Sequence, residues 1–357
     1  MKKIDFLKPN FPPVEECLTE FRKIYENGQF TNSGWYANEL ELMIEKKLGV
    51  KHCILISNAT IALMLAYKTF SLKGKVLIPS FTFAATASSL LWSNLTPKFV
   101  DIDETLTMDL NDLEAKIDKD VCAIVAVNAL GNLCHIKEIE EIAKKHNLYL
   151  IFDSAAAFGA DLNGEQLGNF GNLECFSFHA TKAFPIGEGG AITTNNDEIH
   201  SKLILYRNFG IDHGKILSEG INAKVNEFNA AIGCVGMKYL DSNLDFHRNL
   251  AKRYENNLSE LPITFQKTIG NGTNQLFAIR VPKRDKLAEF LYLNGIQTRI
   301  YYSPLLNETC VYEKYEGLTP KASEIMKEIL CLPIYVGLKI EDVDWICSLI
   351  KKFYEEI

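Results

Sequence analysis

The chain has 357 residues, a length at which we expect one large domain and a smaller one. It is 47% apolar and 23% charged, a composition typical of soluble globular proteins. Its formal net charge of −7, without a cluster of basic residues, disfavours nucleic-acid binding. No apolar run reaches the roughly 18 residues of a membrane-spanning helix, and residues 1–13 lack the apolar core of a signal peptide. We therefore expect a cytoplasmic protein without a membrane partner.

The first half of the chain alternates short apolar strands with helices. An extended arm covers residues 1–13. Helical spacing follows at 14–26, 36–48, 60–70, 83–92 and 136–146, and strands are predicted at 52–56, 75–78, 97–101, 121–127, 148–152, 174–178 and 190–194. Such alternation predicts a largely parallel sheet covered by helices on both faces, with ligands at the carboxyl ends of its strands.

The pattern changes after residue 195. Residues 226–262 are predicted to be mostly helical, and a compact α+β unit follows, with its segments at 275–281, 284–294, 296–300 and 340–356. We therefore expect a large domain at 1–240, which includes the arm, and a small C-terminal domain at 241–357.

The nine cysteines include no Cys-x-x-Cys pair, and most lie in apolar runs such as VCAIVAV at 121–127. Cysteines of this kind are typically reduced, buried and small apolar core residues. We therefore expect neither a zinc site nor a disulfide framework, and no metal.

Three loops at predicted strand ends carry residues suited to chemistry. Ser57–Thr60 places small polar residues at a helix N-terminus, where free backbone amides and the helix dipole bind phosphate, although an ordinary helix cap has the same composition. Asp153 directly follows the apolar strand LYLIF and is followed by small residues, which let a flat ligand approach the backbone. By itself it could equally cap the next segment.

Lys182 lies between an apolar strand and the Gly-rich turn at 187–190. A partly desolvated lysine has a lowered pKa and becomes a usable nucleophile and base, whereas a single loop lysine is usually just exposed. The combination is what indicates a function. A phosphate loop, a strand-end Asp and a loop Lys, in that order, match the needs of a pyridoxal 5′-phosphate (PLP) enzyme.

These residues lie in longer stretches that resemble one family. The chain is similar to nucleotide-sugar aminotransferases of the DegT/StrS type, within the aspartate aminotransferase-like (fold-type I) PLP enzymes. The resemblance implies a three-layer α/β sandwich with a mostly parallel central sheet and a smaller C-terminal α+β domain. The matching stretches are FTNSGWYANELE (30–41), SNATIAL (57–63), IPSFTFAATASSLLWSNLTPKFVDID (78–103), IFDSAAAFGA (151–160), GNFGNLECFSFHATKAFPIGEGGAITTN (168–195), GINAKVNEFNAAIG (220–233), IQTRIYYSPL (296–305) and CLPIY (331–335).

The resemblance also implies roles for individual residues. Lys182 would be the Schiff-base lysine and proton shuttle, and Asp153 would pair with the pyridine nitrogen. The remaining cofactor contacts would be Ala59, Thr60 and Ser177 at the phosphate, Phe83 stacked on the ring, and Asn222 reaching the phosphate of the neighbouring subunit in a homodimer with shared active sites. The residues expected on the substrate side are Thr31, His179, Glu188, Tyr301 and Tyr302; for His179 a structural role, and for Glu188 a role in loop shape, is an alternative.

Two positions depart from the family pattern. The cofactor-facing position three residues after the Asp usually carries Gln or His and here is Ala156, so water or Asn128 would have to position the ring. Lys224 stands where Arg is usual, which weakens any role for it in orienting substrate. Lys182 itself is present, whereas a dehydratase branch of the family has His there, so transamination is favoured over dehydration.

The resemblance therefore implies amino transfer from L-glutamate, through pyridoxamine phosphate, to a nucleotide-linked keto sugar in deoxy-amino sugar biosynthesis for O-antigen or lipopolysaccharide. The wording of the motifs is most similar to members that convert dTDP-4-keto-6-deoxyglucose to dTDP-4-amino-4,6-dideoxyglucose. A 3-keto sugar, a UDP or GDP carrier, and a non-catalytic PLP-binding sensor stay open as alternatives. So does a PLP lyase or desulfurase, for which Cys310 is the loop cysteine.

Overall fold

A computed structural model describes residues 2–356; Met1 of the predicted arm and Ile357 of the predicted small domain lie outside the described residues. The helices are α1 (Val14–Asn27), α2 (Trp35–Leu48), α3 (Ala59–Thr69), α4 (Ala84–Trp92), α5 (Leu110–Ala115), α6 (Ile136–Lys145), α7 (Asp197–Arg207), α8 (Glu227–Gly236), α9 (Leu240–Leu258), α10 (Arg284–Leu293), α11 (Pro320–Met326) and α12 (Ile340–Glu355). The strands are β1 (His52–Ile56), β2 (Lys75–Pro79), β3 (Thr96–Val100), β4 (Val121–Val127), β5 (Tyr149–Asp153), β6 (Asp161–Leu162), β7 (Glu165–Gln166), β8 (Leu173–Ser177), β9 (Gly190–Thr194), β10 (Ile211–Asp212), β11 (Lys215–Ile216), β12 (Thr264–Phe265), β13 (Phe277–Arg280) and β14 (Ile329–Leu332).

The central sheet has seven strands in the order β1-β9-β8-β5-β4-β2-β3. Only β9 runs antiparallel to its neighbours, β1 and β8, while the other pairs are parallel. Both faces carry buried apolar side chains, because helices cover each side of the sheet. The predicted α/β sandwich with a mostly parallel sheet is confirmed.

A separate apolar cluster forms around α9, α10, α12 and the three-stranded sheet β12-β13-β14. Ile4 of the N-terminal arm is 3% exposed and belongs to this cluster. The backbone of Ile4 pairs with Ile296, and its amide donates to the Gly295 carbonyl at 2.9 Å. The arm therefore packs against the C-terminal part of the chain, and the domain division at residue 240 stays a prediction.

Some predicted elements differ from those observed. Residues 296–300 do not form a strand, because their backbone pairings go to two different segments and each stays an isolated bridge: Ile296 pairs with Ile4 of the arm, and Arg299 pairs with Cys331 of β14. The helical region predicted at 226–262 is two helices, α8 and α9, and α9 ends at Leu258 shortly before Pro262. The helices α5, α7 and α11, the strands β12 and β14, and the hairpins β6-β7 and β10-β11 were not predicted.

The nine cysteines are free thiols, and Cys310 is exposed. Within residues 2–356 no helix is both long enough and apolar enough to cross a membrane.

Candidate active site

The strand register brings the phosphate loop to Ser177. Gly190, the first residue of β9, pairs with Ile56 at the end of β1 on one side and with Ser177 at the end of β8 on the other. The loop that starts helix α3 directly follows Ile56, so the N-terminus of α3 lies at the same sheet edge as Ser177. This is the carboxyl edge of the parallel strands, where the sequence predicts the ligand.

The N-terminus of α3 offers free backbone donors. The Asn58 side chain caps the helix by accepting from the Ile61 amide at 2.9 Å. The amides of Ala59 and Thr60 donate to no acceptor within residues 2–356. A Cβ added to Gly190 would lie 3.1 Å from the Ala59 nitrogen and 2.5 Å from the Phe176 carbonyl oxygen. Glycine at position 190 therefore leaves the space beside the Ala59 amide open. Such a helix end suits a phosphate group.

Asp153 ends strand β5 and is 6% exposed. Its Oδ2 accepts a hydrogen bond from the Thr86 hydroxyl at 2.8 Å, and its Oδ1 accepts one from the Ala155 amide at 3.2 Å. Burial raises the pKa of Asp153, while Thr86, Ala155 and the charge of Lys182 act in the opposite direction. The two hydrogen bonds thus fix the position of the Asp153 carboxylate, and its burial favours an interaction with a positively charged partner.

Lys182 lies in the turn between β8 and β9, where its amide donates to the His179 carbonyl at 2.9 Å. Burial lowers the pKa of Lys182, and Asp153 partly restores it. Its Nζ has no hydrogen-bond or ion-pair partner in the part of the chain that the structure describes. Lys182 is partly buried, and an amine with a lowered pKa in such a position has the properties of a nucleophile and base.

Together these groups fit PLP. The free amides at the α3 N-terminus suit its phosphate, and the buried Asp153 suits a protonated ring nitrogen. The unpartnered amine of Lys182 suits its aldehyde, and small side chains at Ala155 and Ala156 leave room for a flat ring.

The predicted stacking and phosphate-bridging residues are both accessible. Phe83 is 61% exposed and lies at the N-terminus of α4, three residues before Thr86. Asn222 is exposed and pairs with Asn208, and the carbonyl of the next residue, Ala223, accepts from the Ser57 amide at 2.8 Å. Asn222 therefore lies close to the phosphate loop of its own chain.

His179 and Glu188 lie together on an accessible surface. The Nε2 of His179 is 3.6 Å from Glu188 Oε1, and the two side chains are 45% and 66% exposed. The Nδ1 of His179 lies 2.9 Å from the Thr181 hydroxyl. Both residues thus border the turn that carries Lys182.

Of the other residues expected at the substrate, Tyr302 is the one that the structure places by Asp153. Burial raises the pKa of Tyr302, and the charge of Asp153 adds to this. Its ring packs on Phe81 with centroids 5.1 Å apart, whereas Tyr301 contacts Phe6 of the arm at 6.0 Å. Thr31 is exposed before α2, and the structure shows no contact that joins it to Lys182.

Asn128, suggested as a substitute for the missing side chain at Ala156, makes its hydrogen bonds elsewhere. The amide of Asn128 is bonded inward: Nδ2 donates to Ser154 Oγ at 2.8 Å and Oδ1 accepts from the Cys134 amide at 2.9 Å. The carbonyl of Ala156 instead accepts from the Thr273 hydroxyl at 2.7 Å. A segment distant in sequence therefore closes this side of the site.

Thr82 and Thr86 are site residues that the sequence analysis missed. Their hydroxyl oxygens are 2.8 Å apart, and Thr86 continues the chain to Asp153. The spacing of four residues at a helix start, in a stretch already matched to the family, was the available signal.

A buried carboxyl group supports the strand that carries Asp153. Glu174 is 0% exposed; its Oε1 accepts from the amides of Gly168 at 2.6 Å and Phe170 at 3.1 Å, and its Oε2 lies 2.7 Å from Ser154 Oγ. Burial raises the pKa of Glu174 to about 7, and these three hydrogen bonds oppose the shift. Glu174 therefore titrates near neutral pH in the folded protein.

Glu174 is expected to make stability depend on pH. The folded-state pKa of Glu174, about 7, is above the ordinary value of 4.5. The stability that Glu174 contributes is therefore fully present below pH 4.5 and is lost as pH rises from 4.5 towards 7. Over this window the free energy of unfolding should fall by up to about 3 kcal/mol relative to Glu174→Gln. Urea unfolding at a series of pH values measures the difference, and parallel profiles would contradict it.

Comparisons with known proteins show the family of the chain. The model of the DegT/DnrJ/EryC1/StrS aminotransferase family matches residues 13–351. A dTDP-4-amino-4,6-dideoxy-D-glucose transaminase of Shigella dysenteriae is 35% identical over 98% of this chain and 99% of its own. A GDP-perosamine synthase of Vibrio cholerae is 30% identical over 92% of this chain and 94% of its own.

Among solved structures, the PseC aminotransferase of Helicobacter pylori, described as involved in the biosynthesis of pseudoaminic acid, has a TM-score of 0.94 and 27% identity, with 100% of both chains covered. The shared fold extends over the sheet, the helices and the C-terminal unit. The chain therefore belongs to the DegT/DnrJ/EryC1/StrS aminotransferase family and is a PLP-dependent sugar aminotransferase.

Proposed function

We propose that this enzyme transfers the amino group of L-glutamate to the keto carbon of dTDP-4-keto-6-deoxyglucose and forms dTDP-4-amino-4,6-dideoxyglucose. The observation that carries the chemistry is the buried Asp153 and the partly buried Lys182, whose charges interact, at the sheet edge that also holds the free amides at the start of α3. The choice of sugar is supported by the Shigella relative of 35% identity and by the motif wording at 78–103 and 177–182.

Each site residue has a proposed task. The amides of Ala59 and Thr60 and the Ser177 hydroxyl hold the cofactor phosphate, and Asp153 holds a proton at the ring nitrogen. The Nζ of Lys182 binds the cofactor covalently and, once released, takes the α-proton of glutamate. PLP supplies an electron sink when bound. The lowered pKa of Lys182 favours the unprotonated amine that acts as the base.

The substrate side is proposed to be the accessible edge formed by His179, Glu188, Tyr301 and Tyr302, with Thr31 further out. His179 and Glu188 are the polar pair beside the lysine turn, which suits contact with sugar hydroxyl groups. Tyr302 is partly buried and lies near enough to Asp153 for that charge to affect its pKa, so it would limit the depth of the pocket.

A homodimer with shared active sites is part of the proposal. The segment around hairpin β10-β11 exposes five large apolar side chains, which is typical of an association surface: Phe209, Ile211, Ile216, Leu217 and Ile221. Asn222 follows directly, so a second copy covering this segment would meet the residue expected at its phosphate. Light scattering should give twice the chain mass. The cytoplasmic location and the O-antigen pathway stay predictions.

A panel of substrates tests the assignment. The purified enzyme is incubated with L-glutamate and, separately, 4-keto-6-deoxy and 3-keto sugars carried on dTDP, UDP or GDP, and the products are measured by mass spectrometry. We expect amination of dTDP-4-keto-6-deoxyglucose, with formation of 2-oxoglutarate, at least about tenfold faster than with the other substrates. Preference for a GDP-linked sugar would instead match the Vibrio relative, and no turnover with any substrate would favour the sensor.

A further inference from the structure

Thr273 and Gln275 each donate a hydrogen bond to a loop of the active site. Both residues are buried, at 0% and 5% exposed. The hydroxyl of Thr273 donates to the carbonyl of Ala156 at 2.7 Å, and the Nε2 of Gln275 donates to the carbonyl of Thr181 at 2.7 Å. One short segment, residues 273–275, therefore holds two separate loops of the site, and we call this segment the clip.

The clip is itself fixed to the loop that follows strand β4. The amide of Thr273 donates to the carbonyl of Gly131 at 2.9 Å, and the amide of Leu276 donates to the carbonyl of Leu130 at 3.1 Å. A Cβ added to Gly131 would lie 2.2 Å from the Thr273 hydroxyl oxygen, so the two segments are in close contact. The Thr273 hydroxyl also accepts from the Gln275 amide at 3.2 Å, which joins the two ends of the clip.

Gln275 ties the turn of Lys182 to another part of the fold. Within residues 2–356, the other hydrogen bonds of residues 179–182 have their partners between residues 177 and 187. The bond from Gln275 to Thr181 is thus the one that joins this turn to a distant segment. Gln275, Thr181 and Lys182 also line the same small cavity, so the bond lies beside the lysine side chain.

The two proposed cofactor partners, Asp153 and Lys182, need a fixed separation. In PLP the ring nitrogen and the aldehyde carbon lie at opposite ends of the pyridine ring, so the groups that meet these atoms must stay one ring apart. Asp153 lies three residues before Ala156, and Lys182 directly follows Thr181. The clip is therefore attached to the chain beside both groups.

We propose that the clip sets the separation between Asp153 and Lys182. Gln275 is then a positioning residue for the Lys182 amine, and Thr273 is a positioning residue for the loop beside the ring. The inference rests on the proposed roles of Asp153 and Lys182 towards PLP.

The step that depends most on Gln275 is the attachment of the cofactor. The amine nitrogen of Lys182 attacks the aldehyde carbon, a carbon–nitrogen double bond forms, and the aldehyde oxygen leaves as water with the two protons of the amine. This step requires the amine at one place, because a reacting group misplaced by about 1 Å can lose about a hundredfold in rate. The contacts to the phosphate and the ring nitrogen do not involve the Thr181 carbonyl.

The test compares two forms of the cofactor in full-length protein freed of cofactor. PLP has the aldehyde that reacts with Lys182, whereas pyridoxamine phosphate has an amine in its place and binds without a bond to the lysine. The rate at which the visible band of lysine-bound PLP forms is measured by stopped-flow absorbance. The Kd of pyridoxamine phosphate is measured by quenching of tryptophan fluorescence.

In Gln275→Met the band should form about tenfold more slowly, while the Kd of pyridoxamine phosphate stays within about twofold of the parent value. Gln275→Asn, which is one methylene too short to reach the Thr181 carbonyl, should behave in the same way and serves if the first variant does not fold. Gln266→Met is the matched control, because Gln266 Nε2 also donates to a backbone carbonyl at 2.7 Å, but to that of Thr105. It should change neither quantity.

Thr273→Val gives an independent arm at the other end of the clip. Release of the Ala156 carbonyl should weaken the binding of PLP and of pyridoxamine phosphate alike, each by about fivefold, because both forms have the same ring. Thr273→Ser keeps the hydroxyl and should bind both forms like the parent.

Three results would overturn the inference: band formation at the parent rate in the Gln275 variants, equal losses of that rate and of pyridoxamine phosphate affinity in them, or parent-like binding of both forms by Thr273→Val. Absence of the band in the parent protein would refute the proposed role of Lys182 and the inference with it. A failure of the clip alone is therefore distinguishable from a failure of the proposed function.

Discussion

Lys182→Ala is expected to abolish the visible absorbance band of the lysine-bound cofactor and to lower turnover with glutamate by at least about a thousandfold. The variant removes both the amine that attaches PLP and the base that moves the substrate proton, and general acid–base catalysis alone contributes about 10²–10⁴ in rate. Absorbance spectra of the purified protein and 2-oxoglutarate formation measure the two effects.

Lys46→Ala is the matched control, because Lys46 is an exposed lysine on α2 far from the lysine turn in sequence. It should keep both the band and the turnover. If Lys182→Ala retained turnover near that of Lys46→Ala, the proposed mechanism would be wrong.

Asp153→Asn is expected to lower turnover by about two to three orders of magnitude, which is typical for loss of one preorganised electrostatic contact in a dry site. The amide keeps the shape and can still bond Thr86 and Ala155, but it cannot hold a proton at the ring nitrogen by charge. Thr86→Val removes one hydrogen bond to the carboxylate and should cost only about tenfold. Steady-state kinetics of both variants, saturated with PLP, distinguish the two contributions.

The Asp153→Asn variant should also stabilise the cofactor-free protein. Burial raises the folded-state pKa of Asp153 above its unfolded value, so its contribution to stability is lost as pH rises through that folded-state pKa. At a pH above the unfolded-state pKa, the raised folded-state pKa is therefore a cost to stability that Asn removes, and Tm of cofactor-free Asp153→Asn should exceed that of the parent by a few degrees. A lower Tm would show that the carboxylate is structurally required.

The main residues of the site could be predicted because their position follows from strand ends. Asp153 and Ser177 each end an apolar strand, and parallel strands end at one edge. The amides of Ala59 and Thr60 follow equally from the helix that starts after β1. Local pattern thus determines these residues.

Gln275 and Thr273 could not be predicted in this way, because they reach the site through tertiary packing alone. Gln275 bonds Thr181 across 94 positions of sequence, and Thr273 bonds Ala156 across 117. No periodicity connects such pairs. The predicted strand at 296–300 was wrong for a related reason, since the backbone partners of this segment, Ile4 for Ile296 and Cys331 for Arg299, are distant in sequence and give only isolated bridges.

Both the sheet and the proposed phosphate site require that residue 190 has no Cβ atom. A side chain there would press on the Phe176 carbonyl and, at the same time, on the amide of Ala59 that is proposed to bind phosphate. In evolutionary terms, a substitution of Gly190 would disturb the sheet and the phosphate-binding amide together, so neither can be changed separately at this position. A descendant that lost cofactor binding would have to change at other positions, such as Lys182 or Asp153, and would keep this glycine.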